Sequence, residues 1–273
     1  MLLKFTKRGG SMARKIVITS GKGGVGKTTI CTGIGYSLAK MGYSVLLVDG
    51  DIGLSNLDIL TGVYGKVLYD ISDVSNGACR PTQAVIRHHF YKTLFILPSV
   101  KACFSEVIKE KDFSDIITSL NNNFDYILID SPAGIENGFK RAVRSADEVI
   151  LVTTPHITSI KNIDRVSSFL NGKFFNKISL VINKIRGDLV LRKEMLKESE
   201  IFQILSIPIL GIIPEFDDIS ISASINGALN ITSKIFGAFD MLAKNICFGK
   251  NCIYDYKKQY SFFSKILSSI KGN

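Results

Sequence analysis

Short runs of consecutive apolar residues recur along the chain and alternate with longer amphipathic stretches. Strands that are buried on both faces of a parallel sheet show this near-continuous apolar pattern. The predicted strands are Lys15–Thr19, Val45–Val48, Leu94–Leu97, Tyr126–Ile129, Val149–Val152, Ile178–Ile182 and Ile209–Ile213. The predicted helices are Thr28–Met41, Phe104–Leu120, Glu136–Ser145, Ile160–Leu170, Leu189–Leu205 and Ile231–Ile246. The alternation predicts an α/β domain, with a mainly parallel doubly wound sheet and helices on both faces.

The last residues of the chain follow a different pattern. We expect a basic extension over residues 1–13, one domain over 14–247, a linker over 248–259 and a separate amphipathic helix over 260–273. At 100° per residue the apolar side chains of this helix fall within an arc of about 140°. Such a helix either packs on the core of its own domain or binds a membrane surface. Its apolar residues are Phe262, Phe263, Ile266, Leu267 and Ile270.

Positive charge is concentrated at the two ends of the chain, which carries a formal net charge of +10. The first 15 residues contain five basic and no acidic residues, and the last 30 contain six lysines and one aspartate. The residues between them carry equal numbers of basic and acidic side chains. A neutral body argues against a DNA-binding face, and basic ends favour contact with an anionic surface. Basic ends that only keep frayed termini soluble are the simpler interpretation.

Hydropathy and cysteine spacing narrow the class of protein further. The chain has no run of about 18 apolar residues, so no helix is predicted to cross a bilayer. The five cysteines are scattered and form no CxxC pair. That spacing argues against a zinc site or a disulfide framework and suits a reducing compartment.

The segment SGKGGVGKTT, residues 20–29, follows the first predicted strand and opens the first predicted helix. This is the context of a phosphate-binding loop, in which glycines let backbone N–H groups close on the phosphates. Lys27 would contact the β- and γ-phosphates, and the Thr28 hydroxyl would bind magnesium. The predicted nucleotide-binding residues of this loop are Gly21, Lys22, Gly23, Gly24, Val25, Gly26, Lys27, Thr28 and Thr29.

The string KGGVGKTT contains two lysines and resembles the deviant Walker A loop of the MinD/ParA ATPases, whose first lysine is their signature. The resemblance implies that Lys22 crosses a dimer interface and touches the phosphates of the nucleotide held by the partner subunit. A cation supplied in this way stabilises triphosphate charge only when two subunits face each other. Dimerisation would then depend on ATP occupancy.

Two further segments resemble the switch regions of this family, VLLVDGDIGLSNLDILTG from position 45 and YILIDSPAGIENG from position 126. The resemblance implies that Asp51 positions or activates the attacking water and that Asp49 contacts the magnesium shell. Asp130 ends an apolar strand and would bind magnesium through water. Residues 131–134 would sense the γ-phosphate, and Asn56 matches a switch asparagine.

Three later segments extend the resemblance. In LVINKIR, residues 180–186, Asn183 matches the family residue that hydrogen-bonds adenine. GIIPEF, residues 211–216, resembles the loop that closes over the base and includes Pro214. LVTTPHITSIKNIDRV, residues 151–166, resembles the region around a helix that meets partner proteins. The C-terminal helix resembles the membrane-targeting helix of MinD proteins.

The resemblance implies a P-loop ATPase of division-site placement that hydrolyses ATP to ADP and phosphate with Mg²⁺. It would form a homodimer with ATP, bind an anionic membrane surface and recruit a MinC-like inhibitor of FtsZ assembly, while a MinE-like protein would stimulate hydrolysis. No nucleic-acid partner is expected. A ParA-type DNA-partitioning ATPase would need a basic body, and a flagellar-number regulator related to MinD would differ in the partner it binds. A nitrogenase-type iron–sulfur reductase would need cysteines beside the switches, where this chain has residues 131–134, SPAG.

Two features depart from the family pattern. MinD proteins usually start near the position of Met12, so we expect either Met1 or Met12 as the true start. The chain is also rich in Ile, Lys, Asn, Phe and Ser relative to Ala, which indicates an AT-rich genome such as that of a plastid. We therefore expect a peripheral membrane protein on the stromal face in a plastid or on the cytoplasmic face in a bacterium.

Overall fold

An eight-stranded sheet lies at the centre of the computed structural model, which describes residues 11–53, 56–99, 108–170, 177–217, 228–229 and 233–258. The strands are β1 (Arg14–Thr19), β2 (Val45–Asp49), β3 (Ile86–Arg87), β4 (Leu94–Leu97), β5 (Tyr126–Asp130), β6 (Glu148–Thr153), β7 (Ile178–Ile185) and β8 (Ile209–Pro214). Their order in the sheet is β3-β4-β2-β5-β1-β6-β7-β8. All neighbours pair in parallel except β3 and β4, which are antiparallel.

The helices cover both faces of this sheet. They are α1 (Lys27–Lys40), α2 (Leu57–Leu60), α3 (Ile71–Ser75), α4 (Pro81–Ala84), α5 (Glu110–Leu120), α6 (Asn137–Arg144), α7 (Ile157–Leu170), α8 (Gly187–Leu191), α9 (Glu198–Leu205) and α10 (Ser233–Phe248), with a 3₁₀ turn at Tyr64–Lys66. One apolar core lies under α1 and α10, and a second lies under α5, α6, α7 and α9. Because both faces are covered, strands such as β2 and β5 are buried at every residue, as their continuous apolar pattern predicts. The predicted doubly wound α/β fold is confirmed.

The single helix predicted over Leu189–Leu205 is wrong. The chain forms α8 and α9 instead, because the backbone turns at Lys193, which has a φ of +62°. A new helix then begins after Lys197, whose N–H donates to Glu200 Oε2 at 2.9 Å. The sequence analysis also missed the short elements β3, α2, α3 and α4. Elements this short span too few residues to show a hydrophobic period. The helix predicted from Phe104 begins only at Glu110, because the backbone is extended at Lys109, and residues 100–107 lie outside the described ranges.

The first residue of the predicted linker, Phe248, still belongs to α10, and residues 249–258 pack on the domain. The Asn245 side chain donates to the carbonyls of Leu210 and Cys252 at 2.8 and 2.7 Å and accepts the N–H of Cys252. Further along, Tyr256 is 4% exposed and its hydroxyl donates to Glu198. The helix predicted over Tyr260–Asn273, with its five apolar residues, lies outside the described residues. Among the described helices, none has the length and apolar content needed to cross a bilayer.

Candidate functional site

The loop between β1 and α1 leaves the central strand of the sheet at its carboxyl end. Gly24 and Gly26 have φ angles of +77° and +93°, which other residues adopt only with strain. Gly26 also caps α1 without any side-chain hydrogen bond, so the first N–H groups of the helix face the loop. A side chain at Gly23 or Gly24 would meet open space. The loop therefore has the glycine-dependent backbone shape that is typical of phosphate-binding loops.

The first half of the loop rests on two other elements. A Cβ atom on Gly21 would lie 2.4 Å from the backbone of Asn162 in α7, so the loop and this helix touch directly. The N–H of Gly134 donates to the Ser20 carbonyl at 2.9 Å, and the Ser20 hydroxyl donates to the Lys22 carbonyl at 2.8 Å. Because Gly134 belongs to the second predicted switch, this hydrogen bond links that switch directly to the loop.

The second half of the loop is held from the end of β7. The Asn183 amide, 4% exposed, donates to the Val25 carbonyl at 2.8 Å, and Lys184 Nζ donates to the Gly24 carbonyl at 3.1 Å. A bulge in β7 places Lys184 at a φ of +57°, which lets two successive side chains reach one loop. Asn183 thus has a structural contact that sequence reasoning missed, as it missed Lys184. Adenine binding by Asn183 and by the buried Pro214 at the end of β8 stays a prediction.

The two lysines of the loop lie in different environments. Lys27, the first residue of α1, is half-buried and faces the carboxylates of Asp51 and Asp130, whose pKa values its charge lowers against the raising effect of burial. Lys22 is exposed, and its side chain makes no hydrogen bond or ion pair with the described part of the chain. Lys27 therefore lies beside carboxylates of its own chain, whereas the Lys22 side chain is open to solvent.

Asp49 and Asp130 end the adjacent strands β2 and β5 and are paired in register. Asp49 is fully buried and accepts the N–H groups of Asp51, Asn56 and Leu57 at 3.1, 3.2 and 3.2 Å. Burial raises the pKa of Asp49 well above its ordinary value, and the neighbouring charge of Asp130 raises it further. The carboxylate of Asp49 thus fixes the backbone of the first switch.

The Asp130 carboxylate is 3% exposed and only partly satisfied. The Thr28 hydroxyl donates to Asp130 Oδ2 at 2.6 Å, whereas Oδ1 has no hydrogen-bond partner among the described residues. Burial raises the pKa of Asp130 to about 7, although Thr28 and Lys27 act against this shift. A buried oxygen without a partner, beside a second buried carboxylate, is a position that favours a cation.

The donor set at this position fits magnesium. Mg²⁺ prefers oxygen ligands, keeps several of its waters and binds proteins through one or two carboxylates together with substrate phosphates. Thr28, Asp49 and Asp130 supply a hydroxyl and two carboxylates at the end of the loop that would hold the phosphates. These three residues stay our predicted magnesium residues.

Asp51 lies two residues beyond Asp49 and is half-buried. Burial raises its pKa, while the charges of Lys27 and Arg141 act in the opposite direction. The sequence reading missed Arg141, which lies on α6 and is only 6% exposed. In the string FKRAVR, residues 139–144, nothing distinguishes an inward-facing arginine from the basic residues of a solvated helix face.

The fold, the loop and the adjoining carboxylates define a P-loop nucleotide-binding protein with a second lysine in its loop. The family model of the CobQ/CobB/MinD/ParA nucleotide binding domain matches residues 16–227, and the chain belongs to this family. A putative septum site-determining protein MinD of the alga Emiliania huxleyi is 44% identical over 216 residues, which are 79% of this chain and 79% of that protein.

Two solved structures agree with this assignment. A chain of the MinC:MinD cell division protein complex of Aquifex aeolicus superposes with a TM-score of 0.81 and 37% identity, covering 88% of this chain and 97% of that one. The septum site-determining protein MinD of Pyrococcus horikoshii, complexed with Mg-ADP, gives a TM-score of 0.78 and 29% identity, covering 86% and 96% of the two chains. Within its family, this chain is MinD-like and has a role in division-site placement.

Because Gly21 contacts α7 and Gly23 does not, we expect substitutions at these two glycines to differ in their effects on stability and on nucleotide binding. Gly21→Ala should lower the free energy of unfolding by about 1–3 kcal/mol, because the added methyl group overlaps the Asn162 backbone. Gly23→Ala should leave stability unchanged, since its methyl group would meet no other atom within 4 Å, and we expect any loss to appear in nucleotide binding because Gly23 lies in the predicted phosphate loop. Denaturant unfolding without nucleotide and titration with ATP would measure both. Equal destabilisation by the two variants would show that the loop is not supported by α7.

Proposed function

We propose that this protein is a Mg²⁺-dependent ATPase that dimerises with ATP, binds a membrane surface reversibly and recruits an inhibitor of FtsZ assembly. The observation that supports this proposal most strongly is the different environment of the two loop lysines. Lys27 faces the carboxylates of its own subunit, and Lys22 is exposed without a side-chain partner in the described residues.

The proposed chemistry is transfer of the γ-phosphoryl group of ATP to water. The loop N–H groups and Lys27 bind the phosphates, and Thr28, Asp49 and Asp130 hold the cation. Magnesium, when bound, neutralises charge on the β- and γ-phosphates. Asp51 orients the attacking water, and orientation is its larger contribution because a carboxylate is a weak base for water even when burial raises its pKa. Lys22 adds positive charge to the nucleotide of the partner subunit, which completes the site only in the dimer.

The proposed partners follow from the family and from the exposed face of α7. This helix buries Ile160, Ile163 and Val166 against the sheet and exposes Lys161 and Arg165. The relative from Aquifex aeolicus was solved as a MinC:MinD complex, and we propose a MinC-like partner for this chain as well. We also propose that a MinE-like protein stimulates hydrolysis. Because relatives include an algal protein, we place the protein on the stromal face of a plastid membrane.

Substitution of the two loop lysines should have different effects on nucleotide binding and on dimerisation. Lys22→Ala should bind ATP within its own subunit but remain a monomer, because the charge supplied across the interface is missing. Lys27→Ala should lose ATP affinity directly. Lys92→Ala, at an exposed lysine before β4, is the matched control and should behave as the parent. Size-exclusion chromatography with light scattering, in ATP and in ADP, measures the result. An ATP-dependent dimer of the Lys22→Ala chain would contradict the trans-acting role.

The C-terminal helix should make membrane binding depend on the dimer. One amphipathic helix binds marginally, and two helices joined in a dimer gain about 10²–10⁴ in avidity without any new contact. Deletion of Phe262–Asn273 should abolish binding and leave ATP-dependent dimerisation intact. Phe263→Glu should act similarly, whereas Ser264→Glu adds the same charge to the polar face and should weaken binding far less. Co-sedimentation with anionic vesicles in ATP and ADP is the measurement. Equal binding in both nucleotides would refute the coupling.

A further inference from the structure

The buried guanidinium of Arg141 lies beneath the first switch, outside the set of residues that the proposed mechanism uses. Arg141 Nη1 donates to the Ile108 carbonyl at 3.1 Å, and Nη2 lies 3.5 Å from the Gly50 carbonyl. The guanidinium carbon is 5.6 Å from the centre of the Phe113 ring, and Nε is buried without a partner among the described residues. Burial of a charged group costs free energy, so its position calls for a compensating role.

The Gly50 carbonyl belongs to the peptide unit that leads into Asp51. The peptide unit between Gly50 and Asp51 has two polar ends, the Gly50 carbonyl and the Asp51 N–H. The Asp51 N–H donates to Asp49 Oδ1 at 3.1 Å, and the carbonyl faces Arg141. The two side chains thus hold one peptide plane from opposite sides. The orientation of that plane sets the direction in which the Asp51 side chain leaves the backbone.

The surroundings of Gly50 leave this peptide little other support. The Gly50 N–H donates to the Asp130 carbonyl at 2.8 Å and fixes only the preceding peptide unit. Gly50 itself has no side chain that packs, and a Cβ atom there would lie 2.8 Å from the Asp130 carbonyl oxygen. Glycine permits more backbone conformations than any other residue, so the following peptide rotates readily unless both of its ends are held.

Arg141 also lies near the contact between α6 and the second switch. A Cβ atom on Gly138 would lie 2.7 Å from the Pro132 ring and 3.7 Å from Arg141 Nη2, so the guanidinium lies where α6 packs against Pro132. We propose that Arg141 is a positioning residue for Asp51, which holds the Gly50–Asp51 peptide in the orientation for water attack. The inference rests on the proposed ATP hydrolysis and adds a residue to it.

The test compares Arg141→Met with Arg144→Met, an exposed arginine one turn further along α6. With Arg141→Met we expect unchanged ATP affinity and a fall in kcat on the order of 10- to 100-fold, the scale of a misplaced reacting group. Arg144→Met should keep the parental kcat. Arg141→Lys keeps the charge but loses the planar fork and should fall between them. If Arg141→Met does not fold, the kcat of Arg141→Lys is the deciding measurement. A kcat of Arg141→Lys equal to that of the parent would overturn the proposal.

Two further measurements separate positioning from general structural support. If Arg141 acts through Asp51, the double variant Arg141→Met/Asp51→Asn should hydrolyse ATP no more slowly than Asp51→Asn alone, whereas multiplied losses would refute the route through Asp51. Hydrogen exchange of the Asp51 amide, without nucleotide, should be about 10-fold faster in Arg141→Met than in Arg144→Met. This readout needs no ATPase activity, so it decides the inference even if the parent chain fails to hydrolyse ATP. Equal exchange in the two variants would overturn it.

Discussion

Two carboxylates buried side by side at the ends of β2 and β5 are the constraint on which the rest of the site depends. The parallel register pairs Asp49 with Asp130, and burial raises the pKa of both. Such an arrangement is unfavourable unless positive charge or hydrogen-bond donors surround it. The structure supplies backbone N–H groups to Asp49 and the Thr28 hydroxyl to Asp130, and leaves one oxygen for a cation. The phosphate loop, the first switch and strand β5 are thereby joined at one position.

The same position explains how nucleotide binding reaches distant surfaces. The loop touches α7 through Gly21, the second switch through Gly134 and the end of β7 through Asn183. A phosphate group bound in the loop would therefore be linked to each of these elements by a direct contact. In the proposed dimer Lys22 of the facing subunit adds positive charge beside the triphosphate, and hydrolysis would remove the γ-phosphate that this charge stabilises.

The sequence predicted those parts of the molecule that local pattern determines. Apolar runs predicted the buried strands, and the loop between Ser20 and Thr29 has its expected place between β1 and α1. The break between α8 and α9 was missed, because it depends on the backbone turn at Lys193 rather than on hydrophobic period. Arg141 was missed for a related reason. The Arg141 side chain points inward because α6 packs under Gly50. This packing brings together two residues that lie 91 positions apart in the chain.

The most direct test of the account mixes two inactive chains. The Lys22→Ala chain keeps its own phosphate site, and the Lys27→Ala chain keeps the lysine that would cross the interface. If Lys22 acts in trans, a mixed dimer contains one complete site, and the mixture should hydrolyse ATP faster than the sum of the two chains measured separately. If Lys22 acts on the nucleotide of its own subunit, no site in the mixture has both lysines. ATPase activity of the mixture equal to that sum would contradict the account.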